Sequence, residues 1–250
     1  KYISDLDIMA ALLASAVHDF QHPGVNNDFL IARSHPKAVR YNDISVLEKH
    51  HLAAAFSIIL DQNCDITINL TEDQFWVVRS TIIKMVLATD LKLQEEVVSS
   101  FRNHKGITNF PNDDYEKHIL MSFCMRISDY GNPLQPSDLY FKWMGLMMEE
   151  MYQQGDMEEH LGMDFSAPFM NRAEANPYAT QLAFCEVVLE PMANIWVEFI
   201  PEIREDIIED GLNKNMRLLK EKADSVASNE EDFQENSERK NLALSEMPRK

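Results

Sequence analysis

Apolar residues return every three or four positions along almost the whole chain, while runs that alternate Val, Ile and Thr between turn residues are scarce. A repeat near 3.6 residues lines side chains along one helix face, whereas a half-buried strand needs a period of two. The fold class expected is therefore all-α. Ile8, Leu12, Leu13, Ala16 and Val17 form one stripe behind Asp5 as a cap, and Pro23-Gly24 ends it. Thr71, with Asp73 and Gln74, opens a second through Trp76, Val77, Ile83 and Val86. Asp114 starts a third through Leu120, Phe123 and Ile127, stopped by Gly131-Asn132-Pro133. On the helix after that, capped by Ser137 or Asp138, the face Leu139, Trp143, Leu146 and Met147 is expected to be buried, as are Trp76, Trp196 and the other methionines. Thr180 to Trp196 reads as a helix kinked at Pro191, and Pro201 opens a last helix toward Lys222.

Composition narrows the function classes. Seven glycines and the absence of GxGxxG or GxxxxGK[ST] argue against the glycine-rich phosphate loops of doubly wound sheets. A formal net charge of -18 repels phosphate backbones and anionic lipid, so no nucleic-acid or membrane-surface role is expected. The longest apolar stretch, Ile8 to Val17, falls short of the roughly 20 residues that span a bilayer. No secretory signal pattern is present, so this segment reads as soluble, with no membrane insertion. Three widely spaced cysteines, an odd number, indicate reduced thiols and a cytoplasmic setting. Gln154 to Pro177 is the longest weakly periodic stretch, the kind of loop that a compact domain keeps for function. Residues 224–250 are polar, charged and aperiodic and read as a disordered tail. The chain begins at Lys1, close to a helical pattern, and is read as a fragment of a longer one.

The strongest local signal is His18-Asp19-Phe20-Gln21-His22-Pro23-Gly24. A helix end followed by a Pro-Gly turn can aim two imidazoles and a carboxylate into one cavity, and such ligands suit Zn, Fe, Mn or Mg. A bare His-Asp is more often a helix-end pair favoured by the dipole. What changes that weighting is the ordered company: Val25-Asn26-Asn27-Asp28-Phe29-Leu30 follows at once, then Tyr41-Asn42-Asp43 and Val46-Leu47-Glu48-Lys49-His50-His51. Farther on come Val86-Leu87-Ala88-Thr89-Asp90, Ser128-Asp129 before Asn132-Pro133, Trp143 with Glu149-Glu150, Gln153-Gln154-Gly155-Asp156, and Gln181 with Phe184. In this order the motifs resemble the catalytic domain of class I cyclic-nucleotide phosphodiesterases, over about Asp5 to Leu218.

That resemblance implies a compact multi-helix catalytic domain over residues 1–223 that hydrolyses a 3′,5′-cyclic nucleotide to the 5′-monophosphate. It implies two divalent metals, Zn at the tighter site and Mg or Mn at the second. His18, Asp19 and Asp129 resemble ligands of the first metal, with Asp19 also reaching the second. Two adjacent cations clamp a phosphate oxygen and acidify water between them, as a stable phosphodiester requires. His22 resembles the histidine that hydrogen-bonds the metal's water, and Glu48 the acid that touches the water shell and orients a catalytic histidine. His51 and Thr89 resemble residues that support the ligands from behind. Gln181 resembles the glutamine that hydrogen-bonds the purine and Phe184 the phenylalanine that stacks on it. One helical turn separates these two, so amide and ring can share a cleft. Met147 is the candidate for the opposite jaw, and Asn132 and Tyr140 for pocket walls. Asn132 resembles the adenosine-preferring members more than the guanosine-preferring ones, which points to cAMP.

Two departures matter. No HNxxH occurs in these 250 residues, although the family takes its general-acid histidine and a fourth protein ligand from that motif. The chain as given is therefore expected to be chemically incomplete without an upstream segment, beyond which a regulatory domain can stand. Gln21 occupies a position where relatives commonly carry an acid. Two other classes share part of the pattern: another HD-type phosphohydrolase, against which Gln181 and Phe184 argue, and an inactive cyclic-nucleotide-binding module, for which the missing HNxxH argues. Nothing in the pattern specifies an oligomer.

Overall fold

The computed structural model describes residues 3–107 and 110–228, and among them every regular element is helical. The expected all-α class holds. Ten α-helices run α1 (Asp5–Val17), α2 (Asn27–Ala32), α3 (Pro36–Tyr41), α4 (Val46–Ile59), α5 (Glu72–Leu87), α6 (Gln94–His104), α7 (Asp114–Asp129), α8 (Ser137–His160), α9 (Pro177–Phe184) and α10 (Glu190–Phe199). A further helix, 204–228, opens with π-helical turns over Glu205–Asn213. It carries helix four residues past Asp224, where a tail was expected; the rest of that expected tail, 229–250, lies outside the described residues.

Small side chains set the first contact. Ala10 and Ala14 of α1 have no exposed surface, and because neither projects past Cβ, α1 lies close along α5. Phe56 and Ile59 of α4, Ile82 and Val86 of α5 and Met121 and Met125 of α7 complete that core. The opposite face of α7 presents Phe123 and Ile127 to a second core with Phe101 of α6 and Met192 and Ile195 of α10. Helix α7 thus stands between two cores, which fixes where its last residue, Asp129, points. A third core joins α8, α9, α10 and the terminal helix through Tyr140, Met144, Met148, Leu189 and Leu212.

Several local expectations need correction. Ser4, not Asp5, caps α1, in a reciprocal capping box with Asp7. Leu139, Trp143 and Leu146 are 40%, 54% and 57% exposed rather than buried, because α8 turns the neighbouring stripe Tyr140, Met144 and Met148 inward. Trp76 is 56% exposed, at the outer edge of α5, not in the core. Helix α8 continues to His160, so the long loop is shorter than the weak periodicity indicated. At Pro191 the chain stays helical but relaxes into π turns over Cys185–Leu189, which accommodates a residue with no N–H to give the preceding turn.

Gly155 marks the closest approach of α8 to that loop. A Cβ there would lie 2.1 Å from the Met170 carbonyl oxygen, whereas one on Gly145 of the same helix meets nothing within 4 Å. Gly155→Ala should therefore destabilise by about 3 kcal/mol through overpacking, while Gly145→Ala should stabilise by about 1 kcal/mol from helix propensity alone. Urea denaturation of both variants checks the contrast.

Candidate metal and substrate site

His18 caps the C-terminus of α1, and Asp129 ends α7. The His18 Nδ1–H donates to the Ser15 carbonyl at 2.9 Å, which turns Nε2 outward. That nitrogen faces both carboxylates, 3.4 Å from Asp19 and 3.3 Å from Asp129. One candidate ligand atom from each of the three residues lies within 4.8 Å of the others. His18 and Asp129 are about three-quarters buried and Asp19 is open to solvent. Asp129, and then Asp19, raise the imidazole pKa to about 9 against the opposing effect of burial. A neutral imidazole nitrogen and two carboxylate oxygens make a donor set suited to a divalent cation, which would take the place of that proton.

The surroundings are equally specific. His51, almost wholly buried, donates Nδ1–H to the Phe20 carbonyl and turns Nε2 toward Asp19 at 3.8 Å. Burial lowers its pKa, so it is a neutral neighbour to the carboxylate. The His22 ring stacks on His51 with centroids 5.8 Å apart. Its Nδ1 accepts the Gly24 N–H, which leaves the proton on Nε2. Glu48 is buried near the start of α4, and its carboxylate accepts from the Asn27 side-chain amide, whose oxygen in turn accepts Leu47 N–H. Burial raises its pKa. Thr89 lies farther back: its hydroxyl donates to the Val86 carbonyl, and its own carbonyl accepts from Arg126 Nη1 at 2.9 Å. Arg126, with no exposed surface, also donates to the Asp90 carbonyl and the Tyr130 hydroxyl, which fixes α7 one turn before Asp129. Asn27 belongs to the motif run that follows His22, whereas Arg126 did not stand out in the sequence. The signal for Arg126 was a charge inside the apolar run Phe123-Cys124-Met125-Arg126-Ile127.

The residues expected to meet a base divide. Gln181 is buried, with Nε2 3.6 Å from the Met148 sulfur. Phe184, half-buried, meets Tyr130 edge-on at 5.4 Å. Asn132 is half-buried in the turn Asn132–Leu134. Tyr140, expected as a pocket wall, has no exposed surface and is packed inside the α8–α10 core, where burial raises its pKa. The methionine beside Gln181 is Met148. The register of α8 puts Met148 on the inward stripe with Tyr140 and Met144, and Met147 lies to its side, half-buried.

Residues 1–209 match the family described as 3′5′-cyclic nucleotide phosphodiesterase. This chain belongs to that family. It is 34% identical over 222 residues to a probable 3′,5′-cyclic-AMP phosphodiesterase of Caenorhabditis elegans, a match covering 86% of this chain and 33% of that protein. It is 36% identical over 217 residues to the mouse 3′,5′-cyclic-AMP phosphodiesterase 4C, covering 83% of this chain and 32% of the relative. The chain thus spans about a third of the length of these curated relatives. Among solved structures, the phosphodiesterase domain of the Salpingoeca rosetta rhodopsin phosphodiesterase superposes with a TM-score of 0.86 at 27% identity, over 93% of this chain and 71% of that one. The donor set of His18, Asp19 and Asp129 fits the divalent-metal dependence that membership implies.

The metal-free state of this phosphodiesterase-family chain has a pH signature. The folded His18 pKa of about 9 lies above its ordinary 6.5, so the proton stabilises the fold fully below pH 6.5, and that contribution is lost as pH rises through 9. In chelator, the melting temperature should fall more between pH 6.5 and 9.5 for the wild type than for His18→Gln. Parallel pH profiles for the two proteins would refute the pairing.

Proposed function

We propose that this chain is the metal- and base-binding part of an active site that hydrolyses a 3′,5′-cyclic nucleotide, cAMP in preference to cGMP, to the 5′-monophosphate. The observation that carries the reading is His18 Nε2 set against the Asp19 and Asp129 carboxylates from the ends of two separate helices. The preference for cAMP draws on Asn132 and on the relatives named above, which are cyclic-AMP phosphodiesterases.

Hydrolysis adds water across the P–O3′ bond: the attacking oxygen loses a proton, and the leaving 3′ oxygen gains one. His18, Asp19 and Asp129 would hold Zn at the tighter site, and Asp19, the most exposed of the three, would reach Mg or Mn at the second. When bound, such cations offset the phosphate charge and acidify water at neutral pH. His22 offers Nε2–H as a hydrogen-bond donor beside that position, with its ring held by His51. Glu48, fixed by Asn27, would touch the water shell around the metals and orient a catalytic histidine, and Thr89, through Arg126, would support the ligands from behind. Gln181 would meet the polar edge of the purine, Phe184 its face, and Asn132 the rim of the same cleft. The proposal assigns residues 1–223 to the catalytic domain. It places the chain in the cytoplasm, supported by three free cysteines among the described residues. A regulatory domain upstream is part of the same reading.

The proposal is tested in two steps. Titrated with cAMP in the presence of Mn²⁺, Phe184→Ala should lose on the order of 1–3 kcal/mol of binding, the scale of base–aromatic stacking, with metal content unchanged. If Phe184 is core instead, the variant loses several degrees of melting temperature and keeps its affinity. Turnover is then assayed on the chain preceded by an HNxxH-bearing segment. Conversion of cAMP to 5′-AMP, abolished by Asp19→Ala with the fold retained, is expected. Binding without turnover would make this a nucleotide-binding module.

A further inference from the structure

Gln153-Gln154-Gly155-Asp156 belongs to the ordered motif series, yet none of its members reaches the metal ligands or the base residues. Its neighbours are two segments far apart in sequence. Gln154, 3% exposed, accepts the Asn26 backbone N–H on Oε1 at 2.8 Å. A backbone N–H can only donate, so this bond fixes the amide: Nε2 must point the other way, where it donates to Glu158 at 2.7 Å and to the Ser166 hydroxyl at 3.2 Å. Glu158 has no exposed surface. Besides Gln154, its carboxylate accepts the Ser166 N–H at 3.0 Å and the Ser166 hydroxyl. A buried carboxylate requires such donors, and every member of this chain of bonds is saturated in one direction of polarity.

The two ends of the chain lie in different halves of the site. Asn26 closes the turn that begins at Asp19 and includes His22. It also caps α2 by accepting Phe29 N–H, and the next residue, Asn27, holds Glu48. Ser166 lies in the loop between α8 and α9, the loop whose Met170 carbonyl rests on Gly155 and which leads directly into Gln181 and Phe184. We propose that Gln154 and Glu158 are positioning residues that couple the two: docking of the 161–176 loop and ordering of the 19–27 turn become one event. The inference rests on the assignment of those segments to the metal and base sides of the site. Its consequence is that a change at Ser166, an exposed loop residue, is felt at the turn that carries the metal ligand Asp19 and at His22.

Hydrogen exchange of the 250-residue chain, followed by mass spectrometry, tests the coupling. Ser166→Ala removes one donor and one acceptor from the relay and leaves Glu158 the Ser166 N–H and the Gln154 amide. Loss of a hydrogen bond of ordinary strength should speed exchange about five-fold, and it should do so both in peptides covering 161–171 and in peptides covering 22–30. Ser166→Thr keeps the hydroxyl and the amide and should exchange like the wild type. Gln154→Leu should deprotect both segments more strongly, and if it does not fold, Ser166→Ala decides alone. Faster exchange confined to 161–171, or no change in either segment, would overturn the coupling and leave Gln154 a local anchor of the loop. Titration of the wild type with Mn²⁺ keeps the two readings apart: a chain that binds no Mn²⁺ contradicts the metal assignment, while the exchange data still decide the relay.

Discussion

A guanidinium without exposed surface holds this structure in register. Arg126 sits in the middle of an otherwise apolar helix face, and its terminal nitrogens reach the carbonyls of Thr89 and Asp90 and the hydroxyl of Tyr130. Those carbonyls follow the end of α5, and the planar fork donates to both, joining the Leu93 N–H on the Asp90 carbonyl. Asp90 in turn accepts from the Ser45 hydroxyl, and Ser45 is the left-handed residue from which α4 starts. One side chain therefore ties α5, α7 and, through Asp90, α4. Asp129 lies three residues beyond it on α7, and Glu48 three beyond Ser45 on α4. The site inherits its geometry from this junction rather than from the loop that carries His18-Asp19.

Electrostatics at the site follow from where helices stop. The last turn of α1 carries no basic side chain of its own, and His18 stands at the cap, where a positive charge is favoured by the dipole and by two facing carboxylates. Without a cation the proton on His18 takes that place, which is why its pKa is high. A divalent ion would meet the same carboxylates with greater charge, so the protonated and metal-bound forms compete for one position. The acidic surface is compatible with an anionic substrate on the same ground, since the local potential at the site is set by what occupies it and not by the net charge of -18.

The amino-acid sequence disclosed some of this and hid the rest for identifiable reasons. Helical periodicity gave the fold class and most helix starts, and Thr71-Gln74 formed the capping box its spacing announced. The grouping of His18, Asp19 and Asp129 followed from the order of motifs, not from any local pattern, since α1 and α7 meet only through the folded core. Periodicity fixes the width of an apolar stripe but not its phase when a helix is apolar on several sides, as α8 is. That ambiguity misplaced Leu139, Trp143 and Leu146, while Tyr140, Met144 and Met148 took the inward stripe. The role of Gln154, and Glu158 altogether, were illegible for a different reason: a polar residue on a helix reads as solvent-facing until the loop that buries it is known.

The central claim is that His18, Asp19 and Asp129 form one ligand set for a divalent ion. It is tested most directly by anomalous scattering at the zinc edge from crystals of the chain grown with Zn²⁺. The account predicts a single strong peak about 2.0–2.2 Å from His18 Nε2 and from one oxygen of each aspartate, the usual range for such bonds. A zinc ion held elsewhere, with His18 still paired to Asp129 as in the metal-free chain, would contradict it.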